Sequence, residues 1–228
     1  MLKFYYNTAP NPMKVALYLE ETGIPYEPVP IDTRRGEQHK TDYLAINPNA
    51  KLPAIIDDGV TVFDSTAILL YLAEKTGKLL PPNTPKLRGE LLSWLLFVAS
   101  GVGPYSGQSV HFRRYAPEPM PYAVNRYTFE ARRHFGILDA RLARQRYLVG
   151  DDYSIADINA WGWTRTLPVV LGEDKWSDFP HLKRLIDEIS ARPAVARVTA
   201  LMQQHKFKTE TDDEARRALF PHQAAKVA

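Results

Sequence analysis

Over the first eighty residues the apolar positions change period several times. The opening stretch LKFYY is rich in residues that favour strands. From 12 to 22, Val15, Leu17, Tyr18 and Leu19 recur at helical spacing, and Gly23 ends the pattern. YEPVPI then predicts a short extended segment, and its two prolines place it at a sheet edge. After a polar loop, LPAIIDDGVTVF pairs two apolar runs about Asp57-Asp58-Gly59, a hairpin signal. Asp64-Ser65-Thr66 opens a helix that runs through Ile68, Leu69 and Leu72 to Gly77. The order strand, helix, strand, short helix, hairpin, helix predicts an α/β domain with a mixed sheet over residues 1–80.

Residues 81–86 predict a linker, because three prolines between Pro81 and Pro85 cannot continue a helix. Beyond it the periodicity is helical over 86–102, 120–146, 155–170, 180–191 and 194–204, an all-α domain over 87–205. The proline-rich APEPMP at 116–121 separates the first two helical stretches. Residues 206–228 are charged and nearly free of β-branched side chains, so a mobile or loosely docked tail is expected.

Composition narrows the function classes. With 45% hydrophobic and 24% charged residues, the 228-residue chain has the content of an ordinary globular protein. No apolar run approaches the ~18 residues of a membrane span, and the start lacks a long secretory core. The absence of cysteine excludes disulfides, thiolate metal sites and a cysteine nucleophile, and accords with a cytoplasmic location. The net charge is +3, with arginines concentrated at 113–146. They share helical turns with Glu130 and Asp139, so a solvated helix face is expected rather than a nucleic-acid surface.

The candidate chemistry is scattered. Pro10-Asn11-Pro12-Met13 occupies the strand-to-helix slot where redox proteins carry Cys-x-x-Cys. Leu52-Pro53 reads more simply as a trans edge proline; the alternative is a cis turn that leaves the Leu52 backbone open to an extended peptide. Asp64 and Ser65 begin a helix, which caps it and equally suits an anion. Ser154 and Asp157 form a capping box, with Tyr153 and Ile158 spaced for a hydrophobic staple, a folding device. GVGPYSG at 101–107 lacks the third glycine of a dinucleotide loop and follows a helical pattern rather than a strand. Ser106 is not in a Gly-x-Ser-x-Gly elbow. The six histidines never pair at i, i+4, and no metal site is expected.

The order of these signals carries more than any one of them. A proline-flanked strand–helix start, NPNAKLPAIID, VFDSTAILLYLAEKTG, a proline linker and a late YLVGDDYSIADINAW together resemble a glutathione transferase over about residues 1–205. APNPMKV, RRGEQHK, and GVGPYSGQSVHF followed by PYAVNRYTFEARRHF are similar to the bacterial nu class. The resemblance implies a thioredoxin-like N-terminal domain, an all-helical C-terminal domain, glutathione as a substrate bound between them, and a homodimer. It implies that Asp64 and Ser65 hold the γ-glutamyl end and that Leu52, before a cis Pro53, pairs with the cysteinyl part. Gln38 and Lys51 would reach the glycyl end, Asn11 would sit near the sulfur, and Arg133 would close the site. The family pattern has threonine two residues before Asn11, where this chain has Ala9; Thr8 is displaced by one. Thr8 therefore joins Asn11 as a candidate catalytic residue. Tyr5 and Tyr6 raise a tyrosine-based alternative, although strand tyrosines more often pack.

Such a loop needs no sulfur of its own, because the substrate brings one. A free thiol of pKa about 8.5 is only a few per cent thiolate near neutrality. Hydrogen bonds from Asn11, Thr8 or the helix-start N–H groups favour the anion, at about 1.4 kcal/mol per unit of pKa depression. The thiolate would then reduce a disulfide or peroxide, the preferred expectation, or attack a carbon electrophile. A glutathione-binding regulatory protein without turnover is a third possibility.

Overall fold

The computed structural model describes residues 1–223. The elements are β1 (Leu2–Tyr6), α1 (Pro10–Thr22), β2 (Tyr26–Pro30), α2 (Thr41–Leu44), β3 (Ala54–Asp57), β4 (Val60–Phe63) and α3 (Ser65–Thr76). They are followed by α4 (Pro85–Phe97), α5 (Gly103–Arg114), α6 (Pro121–Leu142), α7 (Ile155–Thr164), α8 (Leu167–Val170), α9 (Pro180–Ser190), α10 (Pro193–Gln204) and α11 (Asp213–Leu219). Short 3-10 turns cover Thr33–Arg35 and Glu37–His39. The chain forms two compact units: Met1–Ile68 joined by residues from Ala196 onward, and Leu69–Val195.

In the first unit the four strands lie in the order β2-β1-β3-β4. β1 is central because its alternate residues Leu2, Phe4 and Tyr6 are all buried. It pairs parallel with β2, which α1 makes possible as the crossover, and antiparallel with β3. β2, with Pro28 and Pro30, lies at the edge as the sequence predicts. The β3–β4 hairpin turns at Asp58 and Gly59, with φ of 49° and 88°, the two left-handed positions a tight hairpin requires.

Of the two expectations for the C-terminal tail, mobile or loosely docked, its described part shows docking contacts within the first unit. Phe207 packs edge-on against Tyr6, with ring centroids 5.8 Å apart. The Lys208 N–H donates to the buried Asp32 carboxylate at 2.8 Å. Asp212 caps α11 by accepting from the Ala215 N–H at 2.9 Å, and Ala215 is buried. One aromatic, one cap and one small buried residue anchor the segment. That pattern is too short to register as amphipathic. Residues 224–228 of the expected tail lie outside the described residues.

The second unit is helical. A π-helical turn over Val98–Val102 joins α4 to α5, so GVGPYSG is helix rather than a phosphate loop. α5 is absent from the sequence expectation; Gly103 and Pro104 mask it, yet both suit a first helical turn. Gly103 is required by close packing, since a Cβ there would lie 2.9 Å from Nε1 of Trp163. α7 begins with both arms of the expected capping box. The Asp157 carboxylate accepts from the Ser154 N–H at 2.9 Å and from the Leu148 N–H at 2.8 Å. The basic excess is largely balanced by acidic partners: Arg126 and Arg133 bind Glu130, Arg132 binds Asp178, and Arg141 binds Glu90.

Candidate functional site

Strand register decides which candidates share a neighbourhood. Tyr5 pairs with Ala54 and Ala54 with Phe63, so the residues following β1, preceding β3 and following β4 emerge at one end of the sheet. Those residues are Asn7–Asn11, Leu52-Pro53 and Asp64-Ser65. Because β2 runs parallel to β1, with Tyr6 opposite Pro30, the Asp32–Gln38 loop leaves from the same end. Four loops far apart in sequence thus frame one edge.

The first loop is tied down by Asn7, a residue the sequence reading passed over. Its Oδ1 accepts from the Ala9 N–H at 3.0 Å, and its Nδ2 donates to the Thr33 hydroxyl at 3.2 Å. An asparagine accepting from the N–H two residues on is the available signal. Ala9 is the N-cap of α1 and supplies no side-chain cap, so the loop is held from outside the helix. Thr8 and Asn11 lie half-buried on either side of it. Tyr5 tilts against Tyr43, and Tyr6 is buried and stacked on Phe4. Burial holds the Tyr6 phenol above its usual range, which suits a packing residue.

The second loop is a cis Leu52-Pro53 turn rather than the trans edge proline the residues alone favour. It is presented by a compact turn in which the Lys51 carbonyl accepts from the Tyr43 hydroxyl at 2.7 Å and Asn47 Nδ2 at 2.6 Å. The Lys51 side chain is exposed, Leu52 half-buried and Pro53 buried.

At the third loop Asp64 adopts φ 71°, a left-handed conformation rarely taken by a residue other than glycine. Such strain costs about 1–3 kcal/mol and concentrates at ligand sites. It aims the carboxylate back at α3, where Oδ1 accepts from Thr66 N–H at 2.8 Å and Ala67 N–H at 3.1 Å. Ser65 is buried, and its Oγ lies 3.5 Å from Nζ of Lys14. Lys14 is itself buried, and burial lowers its pKa to about 7.

The Gln38 amide is already committed: Nε2 donates to the carbonyls of Thr33 at 3.2 Å and Ala218 at 3.1 Å. The structure thus places Gln38 beneath the C-terminal segment. Arg133 belongs to the helical unit, where it holds Glu130 at 2.8 Å and donates to Nε2 of His134 at 3.1 Å. The hydrogen bond from Arg133 keeps the Glu130 carboxyl below its usual range.

A four-stranded mixed sheet flanked by helices, with a cis-proline turn and a helix N-terminus at one end, defines a thioredoxin-like domain followed by an all-helical one. Residues 2–74 match the family model for the glutathione S-transferase N-terminal domain, and residues 116–193 match that for its C-terminal domain. The chain belongs to the glutathione S-transferase family. Over 201 residues it is 39% identical to the disulfide-bond oxidoreductase YfcG of Escherichia coli, covering 85% of this chain and 92% of that one. The crystal structure of the glutathione transferase URE2P6 from Phanerochaete chrysosporium, in complex with oxidized glutathione, superposes with a TM-score of 0.82. Its identity is 34%, and the match covers 88% of this chain and 96% of that one. A Burkholderia graminis glutathione transferase with two glutathione molecules per subunit also gives a TM-score of 0.82, at 36% identity over 90% and 89% of the two chains.

Proposed function

We propose that the chain is an enzyme that binds glutathione at this end of the sheet and uses its thiolate to reduce disulfides. The observation that carries the proposal is the convergence of the Asn11 loop, the cis Leu52-Pro53 turn and the strained Asp64-Ser65 helix start. An extended γ-glutamyl tripeptide has complementary needs: a backbone edge at its centre, an anion site at one end and hydrogen-bond donors near the sulfur. Leu52 supplies the edge, Ser65 and the α3 N-terminus hold the carboxylate, and Asp64 faces the α-ammonium. Asn11, with Thr8, donates to the sulfur and favours its ionised form. Lys51, whose side chain is exposed beside the cis turn, is assigned to the glycyl end.

Without cysteine, the protein forms no mixed disulfide of its own. One glutathione thiolate attacks the substrate disulfide, giving a glutathione mixed disulfide and releasing a thiolate. A second attacks that intermediate, giving oxidised glutathione and releasing the other substrate thiolate. Two protons pass from the glutathione thiols to the products. The YfcG name and the doubly loaded Burkholderia enzyme support this two-thiol scheme by similarity. A nu-class assignment and a cytoplasmic setting go with it. Tyr122 and Phe129, 84% and 59% exposed and one heptad apart on α6, support a homodimer contact.

Rates with hydroxyethyl disulfide and with chlorodinitrobenzene, measured at matched glutathione, test the reaction type. The disulfide is expected to turn over faster, with Asn11→Ala slowing it. Faster conjugation would replace reduction with transfer to carbon.

A further inference from the structure

Among the described residues, Lys14 is a buried ionisable group that this scheme does not use. It sits on α1, three residues after Asn11, and only 1% of it is exposed. Its neighbours Met13, Val15, Ala16 and Leu17 are fully buried apolar residues. A methionine would fill such a position without the several kcal/mol that burying an ammonium costs. The chain compensates it thinly. Nζ lies 3.5 Å from Ser65 Oγ, and Asp64 is the charged group that acts on it. The Asp64 carboxylate is itself engaged by two N–H groups of α3. No acidic residue occupies the first turn of α1.

We infer that Lys14 is a positioning residue of the glutathione site, its ammonium backing Ser65 so that the hydroxyl and the α3 N-terminus together hold the γ-glutamyl carboxylate. The inference rests on the glutathione assignment made above. An ammonium donates and cannot accept. By engaging a lone pair of Ser65 Oγ it turns the hydroxyl proton away from itself, toward an anion at the helix start. The ligand carboxylate in turn supplies the negative charge that Lys14 lacks. Because Lys14 and Asn11 share one turn of α1, the element that meets the sulfur also anchors the far end of the tripeptide.

Burial holds the Lys14 amine near a pKa of about 7, with Asp64 opposing that shift. An anion beside it favours the charged form. Binding should therefore draw a proton into the protein between neutrality and mildly alkaline pH.

S-methylglutathione, which carries no thiol to titrate, separates this effect from chemistry at the sulfur. Calorimetric titration of the full chain, in buffers of different ionisation enthalpy near pH ~8, should show net proton uptake. Lys14→Met should weaken binding at least about tenfold and abolish the uptake, in line with loss of a charge-assisted contact. Lys14→Arg, always charged, should recover affinity without proton uptake. The measurement on the unaltered protein needs no variant to fold. Binding without proton uptake, or Lys14→Met binding as tightly as the unaltered chain, overturns the inference while leaving the glutathione site standing. Failure of the unaltered chain to bind S-methylglutathione or glutathione instead removes the site itself.

Discussion

The side-chain amide of Gln38 donates to the carbonyl of Ala218 at 3.1 Å, joining residues 180 positions apart in the chain. Nε2 of His39 meets the same carbonyl at 2.9 Å. The last helix is therefore held by the loop that leaves β2, beside the end of the sheet where the candidate site lies.

Removing residues 206–228 should destabilise the protein. The losses include the Phe207–Tyr6 ring contact, worth about 0.5–1.5 kcal/mol, and the bond to the buried Asp32 carboxylate, worth about 1.5–3 kcal/mol. Urea unfolding should show a deficit of about 2–4 kcal/mol; an unchanged midpoint would mean the segment contributes no net stability.

Asp157 is expected to be the costlier half of the α7 capping box. Its carboxylate serves Leu148, Ser154 and the Ser154 hydroxyl, all buried. Asp157→Ala should cost about 3 kcal/mol and Ser154→Ala about 1 kcal/mol. Thermal melts of the two variants check the ranking.

Lys14 should leave a signature in stability against pH. Its amine falls from 10.5 unfolded to about 7 folded, so between these values the unfolded chain binds more protons. The sign follows: its contribution is present above the unfolded pKa and is lost as pH falls through the folded one, with a slope near 1.4 kcal/mol per pH unit in between. The stability difference between the unaltered chain and Lys14→Met, taken at several pH values from neutral to mildly alkaline, should show that slope. A flat difference would place the folded pKa near its ordinary value.

Asp64 separates folding from binding. Asparagine tolerates the left-handed conformation and keeps one carbonyl oxygen for the helix cap. Asp64→Asn should therefore alter stability by less than about 1 kcal/mol, yet weaken glutathione binding about tenfold by removing the charge opposite the ligand ammonium. Ligand-induced shifts in melting temperature compare the two effects directly.

Much of the fold was legible because its strongest signals are local. The Asp58-Gly59 turn, the two prolines of β2 and the Ser154–Asp157 box each act within a few residues, and each appears where the sequence places it. α5 escaped notice because Gly103 and Pro104 read as breakers, whereas the chain enters that helix directly from a π-helical turn. α11 escaped because its docking depends on Gln38 and Asp32, nearly two hundred positions away. Within the candidate site, the helix start at Asp64 was visible as a cap, but its left-handed backbone was not. The cis state of Leu52-Pro53 followed from the resemblance alone, since an isolated Leu-Pro pair favours trans. Lys14 was hidden by type: a lysine on an amphipathic helix is ordinarily solvated, and only packing reveals this one as enclosed.

The sheet unit is discontinuous, built from Met1–Ile68 and the stretch after Ala196. During synthesis the ribosome releases the first piece about 130 residues before the second begins to emerge, a gap that only a long-range closure can bridge. A nascent chain paused within the helical half thus carries the strands but not Phe207 or Ala218, leaving Tyr6 and Gln38 without their late-arriving cover.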